Sequence, residues 1–239
     1  MKIKKHIPNL ITLLNLLCGC IALVFIVDLN FEMAFYFVAL GIFFDFFDGF
    51  FARLFNVSSP LGLQLDSLAD MVTSGVVPGF AMFFLLANSQ HTISAQVLWP
   101  YFGFVITLGA CYRLANFNID TRQSDSFIGL PTPANALFVL SLPLILKYSN
   151  LDLVQVALKN EWFLLGITIV SAYIMNAEIP LFSLKIKDFS VKKYQLQLFF
   201  LVVSMVLLAF LQFLGIAIVI VFYVFLSVIK NFLQKNDKA

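Results

Sequence analysis

Charge is what this sequence has least of. Only 12% of its 239 residues are Asp, Glu, Lys or Arg, about half the ~25% of an average soluble chain. A soluble protein of this size could not cover itself with so few charges, and a disordered chain would be polar rather than apolar. Histidine is limited to two residues and cysteine to three. Three cysteines in apolar runs do not make a disulfide framework. Cys18 and Cys20 point to different helix faces, so no thiolate metal site is expected. His6 lies in a basic stretch and His91 in a short loop, and both read as solvated. No basic tract could follow a phosphate backbone, which excludes a nucleic-acid partner. What the sequence does have is apolar bulk: 61% of residues are hydrophobic and 29 are Phe. The class that remains is an all-α, polytopic integral membrane protein.

A spanning helix needs about 20 apolar residues. Eight windows qualify, at about 8-28, 31-54, 63-87, 97-118, 132-148, 161-179, 194-212 and 214-231. The last two abut at Leu211–Gly215. Leu17-Cys18-Gly19-Cys20 resembles a lipoprotein cleavage site, but Asn9, Thr12 and Asn15 interrupt the preceding run, and signal cores are plainly apolar. No internal repeat or soluble domain is evident, so residues 1-239 form one transmembrane domain. With eight spans both termini share a side. That side collects thirteen of the fifteen Lys and Arg residues, leaving Lys147 and Lys159 opposite. The positive-inside rule makes the richer side cytoplasmic. It includes the 54-62 turn and the 119-131 and 180-193 loops. The cluster Lys185, Lys187, Lys192 and Lys193 reads as an orientation signal that could also attract anionic lipid. Trp99, Tyr101 and Trp162 read as interfacial belt residues.

Against this background four acids stand out. An Asp at the centre of a spanning helix costs about 2.5–3.5 kcal/mol, yet Asp45, Asp48, Asp66 and Asp70 all fall within two adjacent windows. At 1.5 Å per residue, Asp45 lies about 21 Å along its helix, in the cytoplasmic third of a core about 30 Å thick. Asp66 and Asp70 lie at matching depth. Asp45 and Asp48 share one helix face, as do Gly62, Asp66 and Asp70. Antiparallel pairing across the turn places Asp48 opposite Asp66 and Asp45 opposite Asp70. Four such carboxylates repel unless some are protonated or divalent cations hold them. Oxygen-only ligands suit Mg²⁺, Mn²⁺ or Ca²⁺. Gly49 and Ala52 leave room for a ligand, and Arg53 can grip a phosphate bidentately. From spacing alone three readings stand: phosphoryl chemistry, a proton or cation pathway as in transporters, or structural pairing with basic residues. Only Arg53 is near enough in sequence for the last.

The stretch Asp45-Phe-Phe-Asp48-Gly49-Phe-Phe-Ala52-Arg53, then eight residues, then Gly62-Leu-Gln-Leu-Asp66-Ser-Leu-Ala-Asp70 resembles the signature of the CDP-alcohol phosphotransferases, D-x2-D-G-x2-A-R-x8-G-x3-D-x3-D. Every fixed position is matched. Four other segments resemble the phosphatidylserine synthase branch. They are Pro8-Asn-Leu-Ile-Thr-Leu-Leu-Asn15, Leu65 to Gly79, Arg113-Leu-Ala-Asn-Phe-Asn118 and Phe127 to Ala134. The resemblance covers about residues 1-140, so 1-148 reads as the catalytic core and 149-239 as additional helices.

The resemblance implies displacement of CMP from CDP-diacylglycerol by L-serine in a membrane. Glycerol phosphate or inositol phosphate as acceptor belongs to the same class, and a cation or proton-coupled transporter is the rival from another. It implies two divalent cations, Mg²⁺ or Mn²⁺, on Asp45, Asp48, Asp66 and Asp70, with Asp70 also the general base. It implies CDP contacts from Asn9, Thr12, Gly49, Ala52, Arg53 and Gly62, and a homodimer. Arg113, Asn116, Asn118 and Arg122 are candidates for the serine subsite, with headgroup anchoring as the alternative. The location implied is a bacterial-type inner membrane, with the active site facing the cytoplasm.

Overall fold

A computed structural model describes residues 6–57, 59–89, 98–120, 128–183 and 194–236, with side chains to 233. The expected windows each carry a helix. They are α1 (Ile7–Val27), α2 (Phe31–Phe55), α3 (Pro60–Asp70) continuing through a π segment (Met71–Val76) into α4 (Val77–Ala87), a 3-10 turn (Trp99–Phe104) leading into α5 (Val105–Ile119), α6 (Thr132–Tyr148), α8 (Glu161–Asn176) and α9 (Gln195–Asn236). An eight-residue helix, α7 (Asp152–Lys159), lies between α6 and α8. It was not anticipated, because eight residues fall far below the length of a span.

The helix ends follow local chemistry. Asn30 accepts from Met33 N–H at 3.2 Å and caps α2. Asn56 closes α2 in the left-handed region (φ 53), a conformation Asn tolerates. Ser59 accepts from Gly62 N–H at 3.0 Å, and Pro60 takes the first position of α3, where its missing N–H costs nothing. The Ser-Pro turn between the two aspartate helices is therefore where the sequence places it.

Among the described residues, four helices are long and apolar enough to cross a bilayer by length and composition: Ile7–Val27, Phe31–Phe55, Pro60–Ala87 and Gln195–Leu233. The last has 39 residues, about 60 Å of helix against a core of about 30 Å, so it must fold back. It does so at Gln212, which leaves helical geometry (φ 47, ψ −118). A Cβ on Gly215 would collide with the Leu207 carbonyl, and the Phe200 ring lies 5.4 Å from that of Tyr223. The two halves run antiparallel, so the division at Leu211–Gly215 holds and α9 supplies two spans. The architecture is that of a polytopic helical membrane protein. Leu13, Val24, Phe46, Leu108 and Phe210 are exposed, a pattern that in water would invite aggregation but in a bilayer meets lipid.

Between lipid-facing helices the driving force is packing rather than water exclusion, so small residues mark the close contacts. Added Cβ atoms at Gly19 and Gly41 would run into Thr73, with Thr73 Oγ1 2.5 Å from the first and Thr73 Cγ2 2.9 Å from the second. That brings α1, α2 and the π segment together. One core cluster joins Ala22, Ile26, Val38, Ala81, Leu140 and Leu144; another joins Met82, Leu86, Ile106, Val139, Leu164 and Met175. Helices α4 and α6 contribute to both, and so form the middle of the bundle.

The Trp99 ring packs 5.3 Å from that of Trp162, and its Nε1 is buried. His91, Arg122 and the lysines at 185, 187, 192 and 193 lie outside the described residues. Among those described, extended chain is limited to an isolated antiparallel bridge between Ile128 and Pro180. Gly129 permits it, with φ 73 and its N–H donating to Ile179 O at 2.9 Å. A side chain at Gly129 would strike the Met175 carbonyl.

Candidate active site

The four aspartates converge at the α2–α3 hairpin, where α1 covers them. Carboxylate oxygens of Asp45, Asp48 and Asp66 all lie within 4.8 Å of one another. The Asp45 and Asp66 carboxyl groups are in direct contact. This adjusts the expected pairing: Asp66 meets both acids of α2, rather than Asp48 alone. Asp70 stands one turn further along and is held differently. Its Oδ1 accepts from Asn15 Nδ2 at 3.1 Å. Asp48 Oδ2 accepts from Thr12 Oγ1 at 2.5 Å. Asp48 and Asp70 are buried, at 7% and 9% exposure, while Asn15 is wholly enclosed.

These contacts follow from helix geometry. Asn9, Thr12 and Asn15 recur at three-residue spacing on one face of α1, and that face runs down the hairpin. Asn9 comes against Gly62, where an added Cβ would lie 3.2 Å from Asn9 Oδ1. The Asn15 carbonyl accepts from Thr73 Oγ1 at 3.2 Å. The π segment begins immediately after Asp70, and such widened turns recur at functional sites.

Among the described residues no Lys or Arg contacts the four carboxylates. In low dielectric their mutual repulsion is poorly screened, and a hard divalent cation is the ligand that all-oxygen donors of this kind suit. The donor set therefore fits a metal. Arg53 is exposed, and its Nη2 would lie 3.9 Å from a Cβ on Gly49. Its guanidinium thus hangs over the glycine beside Asp48, with Ala52 one residue before it.

Two expected positions already have protein partners. Thr12 does not present its hydroxyl to an open pocket, because that group lies on Asp48 and near Pro8 O at 3.1 Å. Arg113 is 7% exposed, and its Nη1 donates to Ile128 O at 2.8 Å and Met175 O at 2.6 Å. It clamps the extended segment to the end of α8 rather than sitting loosely at a membrane surface. Asn118 Nδ2 donates to Ser67 Oγ at 2.9 Å, tying the end of α5 to the residue after Asp66. Asn116 faces a cavity of about 310 Å³ at the end of α5. Asn15 was the residue not singled out as part of the site. Its signal was present, since it continues the Asn9–Thr12 face as a polar residue in an apolar run.

Comparison with known proteins agrees with this geometry. Residues 5–174 match the sequence profile described as CDP-alcohol phosphatidyltransferase. A protein of Helicobacter pylori (strain J99) named CDP-diacylglycerol–serine O-phosphatidyltransferase is 33% identical over 97% of this chain and 96% of its own length. Proteins of the same name from Bacillus subtilis (strain 168) and Saccharomyces cerevisiae are 38% and 35% identical over 54% and 57% of this chain, covering 70% and 53% of their own lengths.

Proposed function

This chain belongs to the CDP-alcohol phosphatidyltransferase family, and from that premise we propose that it transfers the phosphatidyl group of CDP-diacylglycerol to L-serine, giving phosphatidylserine and CMP. The observation that carries this reading is the carboxylate cluster of Asp45, Asp48 and Asp66, with Asp70 beside it and Arg53 above it. The near full-length likeness to a serine-using relative supports the acceptor.

The serine hydroxyl attacks the phosphorus that carries diacylglycerol. The new bond is serine Oγ to phosphorus, the broken bond is phosphorus to the bridging oxygen, and that oxygen leaves as part of CMP. Two divalent cations, Mg²⁺ or Mn²⁺, on Asp45, Asp48, Asp66 and Asp70 supply charge neutralisation for the pyrophosphate when bound. Thr12 holds Asp48 in place. Asn15 occupies Asp70 Oδ1, leaving Oδ2 to take the serine proton. The hydroxyl is far too weak an acid to lose that proton unaided at neutral pH. Arg53 pairs with phosphate oxygens over the bare backbone at Gly49 and beside Ala52, while Asn9 and Gly62 border the cytidine. Arg113, Asn116, Asn118 and Arg122 form the acceptor side, so α8, which Arg113 binds, works with the 1-148 core. Thirteen of fifteen basic residues on one side support a cytoplasmic site in a bacterial-type inner membrane. The homodimer remains part of this proposal.

The test is CMP release from CDP-diacylglycerol by purified protein, with and without Mn²⁺ or Mg²⁺, against serine, glycerol phosphate and inositol phosphate. Metal-dependent release with serine alone is expected. Release with another acceptor alone would reassign the substrate, and none with any acceptor would leave transport.

A further inference from the structure

The helix that carries Asp66 and Asp70 does not run on as a plain α-helix. It widens into the π segment Met71–Val76, and Asp70 is the residue on which that segment opens. The cause is in the sequence. Pro78 stands just beyond the segment, with no N–H to close on the Ser74 carbonyl and a ring that would press against it in an α-helix. In a spanning helix such a break is tolerated where π turns, hydroxyl side chains and neighbouring helices take up the freed backbone groups. All three are present here. The Val77 N–H closes on the Val72 carbonyl, the i to i+5 pairing of a π turn, and the same pairing sets the Gly75 N–H on the carbonyl of Asp70. The Gly75 carbonyl in turn accepts from Thr107 Oγ1 of α5 at 3.0 Å. Thr107 comes this close because Gly75 and Gly79, one turn apart, leave α5 room. A Cβ on Gly75 would lie 3.3 Å from Ala110 Cβ, and one on Gly79 would strike the Thr107 hydroxyl. On the other flank Thr73 is fully buried and donates to the Asn15 carbonyl at 3.2 Å, while Asn15 Nδ2 donates to Asp70 Oδ1. The ring is thereby closed: Asp70 to Asn15, Asn15 to Thr73, and Thr73 back to Asp70 along the widened turn.

We propose that this widened turn is the device that aims the Asp70 carboxylate, and that Thr73 and Thr107 are its positioning residues, Thr73 from within the turn and Thr107 from α5. This rests on the reading of Asp70 as metal ligand and proton acceptor. Thr73 acts through Asn15, and Thr107 acts through the backbone of Gly75. A turn held at both flanks leaves the carboxylate one place to stand, and a reacting group displaced by about 1 Å can cost about 10²-fold in rate. Loss of either hydroxyl frees a carbonyl inside a span, where no water can satisfy it, and the turn then relaxes toward another pairing. Arg53, Asn9 and Gly62 lie at the other end of the hairpin, so the hold on CDP-diacylglycerol is not disturbed.

The experiment compares full-length wild-type protein with Thr73→Val and Thr107→Val, which keep the branched shape and lose the hydroxyl, and with Thr73→Ser and Thr107→Ser, which keep the hydroxyl. Thr168→Val is the control, because it removes an equally buried hydroxyl, bonded to Leu164 O at 2.8 Å within α8, away from the aspartates. CMP release with saturating Mn²⁺ gives kcat and the KM for CDP-diacylglycerol, and thermal unfolding is followed on the same preparations. Each Val variant should lower kcat about tenfold or more and leave the CDP-diacylglycerol KM unchanged, and each Ser variant should restore most of the lost turnover. Thr168→Val should keep wild-type kcat whatever it does to the melting temperature. Should Thr73→Val fail to fold, Thr107→Val, which alters a half-buried side chain, carries the decision. Wild-type kcat in Thr107→Val, a loss that Ser does not restore, or an equal loss in Thr168→Val would overturn the positioning role while leaving the Asp70 assignment intact. Near-normal turnover by Asp70→Asn would instead remove the premise, whatever the threonine variants do.

Discussion

Replacing Asn15 with Leu should separate catalysis from stability. Asn15 is fully enclosed, and its Nδ2 donates to Asp70 Oδ1 at 3.1 Å. A hydrogen bond to a charged group contributes about 1.5–3 kcal/mol. Its other amide atom, Oδ1, is buried without a partner, a defect that costs about 1–3 kcal/mol. Leucine of similar shape removes both together, so the two changes should offset and unfolding stability should move by about 1 kcal/mol or less. Turnover has no such offset. If the bond positions Asp70 as the proton acceptor, its loss raises the barrier by about 1.5–3 kcal/mol, and at about 1.4 kcal/mol per factor of ten this slows kcat roughly 10- to 150-fold. The KM for CDP-diacylglycerol should change little, because Asn15 lies on the Asp70 side of the cluster. The assay is steady-state CMP release in detergent–lipid micelles with saturating Mn²⁺, beside thermal unfolding of the same preparation. A Leu variant that turns over within threefold of wild type, at unchanged melting temperature, would refute the assigned role. Asn15→Asp gives the complementary check: a fifth carboxylate should abolish activity.

Asp70→Asn should eliminate measurable turnover while CDP-diacylglycerol still binds in the presence of metal, seen by equilibrium binding of labelled lipid. Chelation of divalent cations should stop CMP release, and Mn²⁺ or Mg²⁺ should restore it. In parallel, Asp66→Asn should lose the rise in melting temperature that Mn²⁺ gives the wild type, and an undiminished rise would place the metal elsewhere. Gly19→Val should destabilise the fold by about 1–3 kcal/mol through overpacking, because its Cβ would lie 2.5 Å from Thr73 Oγ1 and 3.1 Å from the Thr73 backbone. Gly166→Ala, whose Cβ would meet nothing within 4 Å, should be neutral in the same melting experiment.

Much of the site was legible because it is local. The Asp45–Asp48 and Asp66–Asp70 spacings fix faces on two helices joined by a Ser-Pro turn, so convergence follows from chain geometry. Asn9, Thr12 and Asn15 announced a polar face on α1, but helical periodicity says nothing about which partner each would meet. Thr12 was expected among the CDP contacts, and its donation to Asp48 could not be read from the sequence. Arg113 was legible as a candidate for the serine subsite or for headgroup anchoring, but its partners, Ile128 O and Met175 O, lie 15 and 62 residues away. Thr73 and Thr107 carried no signal at all, being ordinary residues of apolar helices.

The scarcity of charge determined the class of the protein, since so apolar a chain has only lipid to face. The run lengths determined the helices, the caps their ends, and the aspartate spacing the convergence of the carboxylates. Tertiary structure decided what depends on contacts between distant segments: the fold-back at Gln212, the approach of α1 through Gly19 and Gly41 to Thr73, and the assignment of Asn15 to Asp70. It also decided the cavity where α5 meets α8. Local patterns encode which way a side chain points along its own helix. Only packing decides what stands opposite it, because that is set by the fit of several helices at once.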